Sequence, residues 1–115
     1  MTTILVADFT RSPGGRFIAD GEYSGEWFRQ DVLVPALRAA IAARDVLTVV
    51  LDGTSGYGSS FLEEAFGGLV RRGLFPQRIV KDHLKIKATS PLYNPYKVLA
   101  EKYISSAKPE HVVAA

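Results

Sequence analysis

Residues 46–66 read VLTVVLDGTSGYGSSFLEEAF, and the division of this stretch into elements decides the fold. Val46 to Leu51 is an unbroken β-branched and apolar run closed by Asp52. Strands without polar alternation are buried on both faces, so this run is predicted to be the central strand. Gly53 to Gly58 then form a loop, after which Phe61, Leu62, Ala65, Phe66, Leu69 and Val70 recur at helical spacing as far as Gly73. Ser60 and Glu63 stand three apart at the helix start, the spacing of a capping box in which serine and glutamate satisfy each other's free amides. That reading uses Ser60 and Glu63 and leaves Ser59 exposed just ahead of the helix. Gly67-Gly68 inside the helix costs about 1 kcal/mol per residue relative to alanine, which points to close packing or a contact surface.

The same reasoning extends outward. Thr3 to Ala7 is β-branched and apolar and reads as another central strand. Arg11-Ser12-Pro13-Gly14-Gly15 is a turn, and Arg16 to Ala19 is predicted to be the returning strand of a hairpin. From Ser24, a helix cap, Trp27, Phe28, Val32, Leu33, Leu37 and Ile41 mark a helix to about Ala43, with a kink expected at Pro35. Beyond Pro76, Ile79-Val80 reads as a strand fragment and His83 to Ala88 alternates like a half-exposed strand. Ser90-Pro91 and Asn94-Pro95 introduce a last helix containing Tyr96, Val98, Leu99, Tyr103 and Ile104. The predicted order is β-β-α-β-α-β-α, an α/β fold with a mixed sheet and helices packed against it. Residues 1–108 are expected to form a single domain and residues 109–115 a flexible C-terminal tail.

Composition narrows the function classes. The 115 residues are 47% hydrophobic and 23% charged, the balance of a globular protein, and there is no cysteine for a disulfide or thiolate site. The N-terminal stretch MTTILVADFT lacks the basic and apolar regions of a signal peptide, and no apolar run reaches membrane-spanning length. A cytoplasmic protein without membrane contact is expected. The net charge of +2 is unevenly spread: residues 1–70 carry five arginines against nine carboxylates, whereas residues 71–102 carry eight lysines and arginines against Asp82 and Glu101. Such a basic segment presents a solvated surface, or contacts an acidic protein or nucleic acid.

No catalytic pattern emerges. A Ser59, His83, Asp52 triad can be written down, but no nucleophile-elbow sequence surrounds the serine. The loop Gly53–Ser60 lies between strand and helix as a phosphate-binding loop does, but lacks the P-loop lysine and the spacing of the dinucleotide fingerprint. His83 and His111 have no metal-ligand partner at suitable spacing. No catalytic residue, metal or cofactor is therefore assigned, and the chain is expected not to be an enzyme. A hydroxyl at Ser59 is instead suited to modification, because a phosphate there would meet free helix amides.

The strand Val49-Val50-Leu51-Asp52, a short loop, and Gly58-Ser59-Ser60-Phe61-Leu62 opening a helix resemble the STAS domains of sulphate transporters and anti-sigma-factor antagonists. More specifically, PGGRFIADGEYSGEWFR and LDGTSGYGSSFLEEAFGGLVRRG resemble the bacterial STAS-like domain family of unknown function over most of residues 3–104. The resemblance implies a STAS-like fold and a non-catalytic regulatory role in protein–protein interaction. It implies a partner that is a kinase-like ATPase or anti-sigma-type regulator; a homodimer is a separate possible assembly that the resemblance does not supply. It places Ser59 at the serine phosphorylated in antagonists and Asp52 at the acid ending the strand. Gly58 stands where antagonists have an acid, and Phe61 where they have glycine. The expected partner-binding residues are Asp52, Thr54, Ser55, Tyr57, Ser59, Ser60 and Glu63, with a secondary surface at Arg16, Glu26 and Arg29. The alternative is an accessory nucleotide or nucleic-acid binder using Arg71, Arg72, Lys81, Lys85 and Lys87.

Overall fold

The computed structural model describes residues 2–110. Strands β1 (Thr2–Leu5), β2 (Leu47–Val50) and β3 (Leu84–Lys87) form one parallel sheet in the order β1-β2-β3. Ile4, Val49 and Ile86 stand side by side in the register. Val49 and Ile86 are buried, whereas their β3 neighbours Lys85 and Lys87 are exposed. The strands follow one another in sequence order, and parallel crossovers turn with one hand, so both crossovers cover the same face. The half-exposed character of β3 follows from that arrangement.

The run at 46–51 does supply the central strand, as Leu47–Val50, whereas the stretch at 3–7 contributes only the end of an edge strand, Thr2–Leu5. The chain leaves the sheet after Leu5 and turns at once into α1 (Val6–Phe9), with Val6 fully buried. The predicted hairpin does not form, and the sheet is parallel throughout. Residues 16–19 have local uses for their amides: Phe17 N–H donates to Asp20 Oδ2 at 3.0 Å, and Ile18 N–H to Glu26 Oε1 at 2.8 Å. With those donors taken by carboxylates, Ile18–Asp20 closes as a 3₁₀ turn. The Ile79-Val80 fragment is likewise helical, within α6 (Gln77–His83). Pro76 presets the entry to α6, and Val80 faces the core.

Residues 25–42 form one helical run made of α2 (Gly25–Phe28), a π-helical turn (Arg29–Leu33) and α3 (Val34–Ala42). Ser24 caps it, its hydroxyl accepting from Trp27 N–H at 3.1 Å. Pro35 cannot donate to the carbonyl four residues earlier, at Asp31, and the helix absorbs the loss in the π turn. Residues 59–71 form a second run: α4 (Ser59–Leu62), a π turn (Glu63–Gly67) and α5 (Gly68–Arg71). The last helix, α7 (Asn94–Ser106), packs mainly on that second π turn. No helix among the described residues is long and apolar enough to cross a membrane.

The two broken helices meet around aromatic side chains. Phe28 lies 5.9 Å from Phe61 and 6.3 Å from Phe66 between ring centroids, and all three are fully buried. Phe61, one of the two residues that depart from the antagonist pattern, is thus a core anchor. The helices approach closely at Gly25, where an added Cβ would lie 2.5 Å from the Phe61 carbonyl oxygen. Gly25→Ala is expected to cost about 1–3 kcal/mol by overpacking. Gly14→Ala, with nothing within 4 Å of the new Cβ, should change stability by less than about 0.5 kcal/mol. Urea unfolding of the two variants measures both.

Candidate functional site

The loop after β2 is built from two sides. Asp52 accepts the amides of Thr89 and Ser90 at 2.8 Å each, tying this loop to the one after β3. Burial works against its charged form, but those two amides outweigh it and hold the carboxyl below its ordinary range. Tyr57 is buried and its hydroxyl donates to the Leu51 carbonyl at 2.7 Å. Burial pushes that phenol far above its ordinary value, so it is a neutral donor. The Tyr93 hydroxyl donates to the Thr54 carbonyl, and Thr54 is itself buried. From the other side, Ser55 N–H donates to the Arg11 carbonyl at 2.7 Å and Gly58 N–H to the Pro13 carbonyl at 2.9 Å.

Three of the predicted partner-binding residues are therefore framework: Asp52, Thr54 and Tyr57 hold the loop, while Ser55 and Ser59 are its exposed positions and Ser60 is half-buried. The capping box does not form. The helix begins at Ser59 with Gly58 as its N-cap, which places Ser60 inside the first turn and leaves the cap to a residue without a side chain. An acid at position 58 does not fit this loop either, since a Cβ there would stand 2.7 Å from the Gly14 carbonyl oxygen.

Glu63, free of any cap, joins Glu64 in an arginine cluster. Arg71 chelates Glu63 through Nε and Nη2 at 2.8 and 3.1 Å, and Arg16 bonds the same carboxylate. Glu64 is fully buried and meets four arginines: Arg29 at 2.5 Å, Arg71 at 2.8 Å, and Arg16 and Arg72 at 3.3 Å. Arg29 also donates to the Glu64 carbonyl at 2.7 Å. It is only 3% exposed, so of the expected secondary surface Arg16 is half-buried, Glu26 is bonded to Ile18, and Arg29 lies in the interior. Arg29 and Glu64 each sit on a π turn. Gly68 provides the space, because a Cβ there would stand 2.6 Å from Arg29 Nη1. The Gly67-Gly68 pair is thus explained by close packing. The signal available in the sequence was Glu64 itself, three residues from Phe61 and next to Ala65 on the apolar face.

The remaining assignments separate. His83 bonds the Asp45 carbonyl through Nδ1 at 2.7 Å, just before β3 starts, whereas Asp52 and Ser59 follow the end of β2. In a parallel sheet those are opposite ends, so the Ser59–His83–Asp52 triad does not assemble. His111 lies outside the described residues. Of the basic residues, Arg71 and Arg72 are engaged by Glu63, Glu64 and Glu110, while Lys81, Lys85 and Lys87 are exposed around β3.

Burial works to raise the Glu64 and Glu63 carboxyls, but the hydrogen bonds and charge of the surrounding arginines more than reverse it, and both are held low. Their stabilisation is therefore complete above the ordinary glutamate value of 4.5 and is lost as pH falls through the lower folded values. Glu64→Gln leaves the buried Arg29 guanidinium without its counter-charge and is expected to cost about 3–5 kcal/mol near neutral pH. Melting temperature followed from pH 7 downward should fall less steeply for this variant than for the wild type below about pH 5.

No curated protein and no solved structure matches the chain. A protein-family model does match residues 24–94, a span that contains the second and third strands, the exposed serine, and Arg29, Glu64, Arg71 and Arg72 of the cluster. That span is more than half of the chain, and the protein accordingly belongs to the family described as STAS-like domain of unknown function (DUF4325).

Proposed function

We propose that this chain is a non-catalytic regulatory domain of the cytoplasm that binds a protein partner through the loop 53–58 and the first turn of the helix after it. Ser59 is its regulated position. The observation that carries this reading is the combination of a rigid loop with an unused hydroxyl: Ser59 is exposed at the first helical position, and the N-cap is Gly58. A kinase would find the side chain accessible, and the loop on which it sits is held by Asp52, Tyr57 and Tyr93. Phosphorylation would place about −1.5 to −2 charges at the exposed start of the helix without disturbing the core. The separation of His83 from Asp52 and Ser59 supports a binding role over hydrolysis. The kinase-like ATPase or anti-sigma-type regulator suggested by the STAS resemblance is the partner class to test first.

Ser59→Asp is expected to weaken retention of the co-purifying partner about tenfold or more, about 1.4 kcal/mol, while Ser59→Ala and Ser60→Ala retain it. Affinity purification with mass spectrometry, scored also for phosphate on Ser59, makes the measurement. Equal retention by all three variants, together with a Ser59 that never gains phosphate in cells, would remove this reading.

A further inference from the structure

The arginine cluster is larger than its two carboxylates require. Arg16, Arg29, Arg71 and Arg72 bring four positive charges to Glu63 and Glu64, leaving a local excess of two. Arg29 Nε is buried with no hydrogen-bond partner among the described residues. On the outer side, the chain beyond α7 returns to the cluster. Glu110 N–H donates to the Arg71 carbonyl at 2.5 Å, and Glu110 Oε1 lies 3.2 Å from Arg71 Nη1 and 3.7 Å from Arg72 Nε. Its side chain stays 59% exposed, so the contact is peripheral and replaceable.

We propose that the outer edges of Arg71 and Arg72 form a binding site for a phosphate group, and that Glu110 occupies it as an internal stand-in. Three features favour phosphate. Guanidinium groups offer paired N–H donors that match its oxygens. Glu63 and Glu64 hold Arg71 in place from behind, so little side-chain freedom remains to be lost on binding. Glu110 cancels only one of the two excess charges, whereas a phosphate group of about −1.5 to −2 cancels most or all of both. The ligand's phosphate is carried by a protein segment or is free in solution, and the same donors serve either. This site is independent of Ser59 phosphorylation in the same molecule.

The test uses the full chain, with inorganic phosphate and a phosphoserine peptide of otherwise neutral side chains as probes, and arginine Nε–H resonances as the readout. Glu110→Gln is expected to tighten phosphate binding several-fold by removing the competing carboxylate. Arg72→Gln, which leaves Arg16, Arg29 and Arg71 on Glu64, should weaken binding about tenfold, the loss of a hydrogen bond to a charged group. An unchanged melting temperature for Arg72→Gln separates loss of the site from loss of the fold. If it melts lower, the Glu110→Gln comparison decides alone. Preference for the peptide would identify a phosphorylated protein segment, and equal binding of both probes would identify free phosphate. Equal phosphate affinity in wild type and Glu110→Gln, or no binding of either probe to Glu110→Gln, overturns the proposal.

Discussion

The fold depends on one buried carboxylate. Glu64 is fully buried at the meeting of the two broken helices, and without compensation a charge there is prohibitive. The compensation comes from four arginines on distant parts of the chain: Arg16 on the loop before the first long helix, Arg29 on its π turn, and Arg71 and Arg72 at the end of the second. Ion pairs of this kind often contribute little net stability against an apolar replacement, yet they are costly to break and fix which surfaces meet. Here they register the loop carrying Arg16 against the second helix. That same loop supplies the Pro13 carbonyl that receives the Gly58 amide, so the geometry at the helix start is linked to the charge cluster through residues 13–16.

The π turns belong to the same solution. An α-helix presents side chains at fixed angular steps, and an inserted residue resets the phase, so that Arg29 and Glu64 point at each other while the apolar residues on either side still face the core. In the first helix Pro35 supplies a reason for the irregularity. In the second, Gly67 and Gly68 provide the space into which Glu63 and Arg29 extend.

Periodicity made the long features legible. The strand at 47–50, both long helices and the strand at 84–87 follow from patterns of four or more residues, and the Ser24 cap from a local hydroxyl. Shorter signals misled because their outcome rested on distant partners. Phe17 and Ile18 look like strand residues, but Asp20 and Glu26 take their amides. Ser60 and Glu63 have capping-box spacing, but Arg16 and Arg71 hold Glu63 elsewhere. At the site, exposure of Ser59 was legible from the helix start. The framework roles of Asp52 and Tyr57, and the convergence of four arginines on Glu64, depend on contacts across up to 48 residues of chain.

The helix from Ser59 to Arg71 separates the two places where phosphate chemistry is proposed. At about 1.5 Å per residue, its ends lie about 18 Å apart, far beyond the reach of a phosphoserine side chain. A phosphate on Ser59 therefore cannot displace Glu110 from Arg71 and Arg72 of the same molecule. The N-terminal end presents a hydroxyl on a loop fixed by backbone bonds, and the C-terminal end presents guanidinium groups fixed by carboxylates. The two are joined by a rigid element whose middle is pinned at Glu64. An occupant of one end would influence the other only by moving that pinned segment, which the four arginine contacts resist, or by bridging to a second molecule. Independent ends on a stiff connector suit a domain that engages one group at each end, with each contact tuned by charge alone.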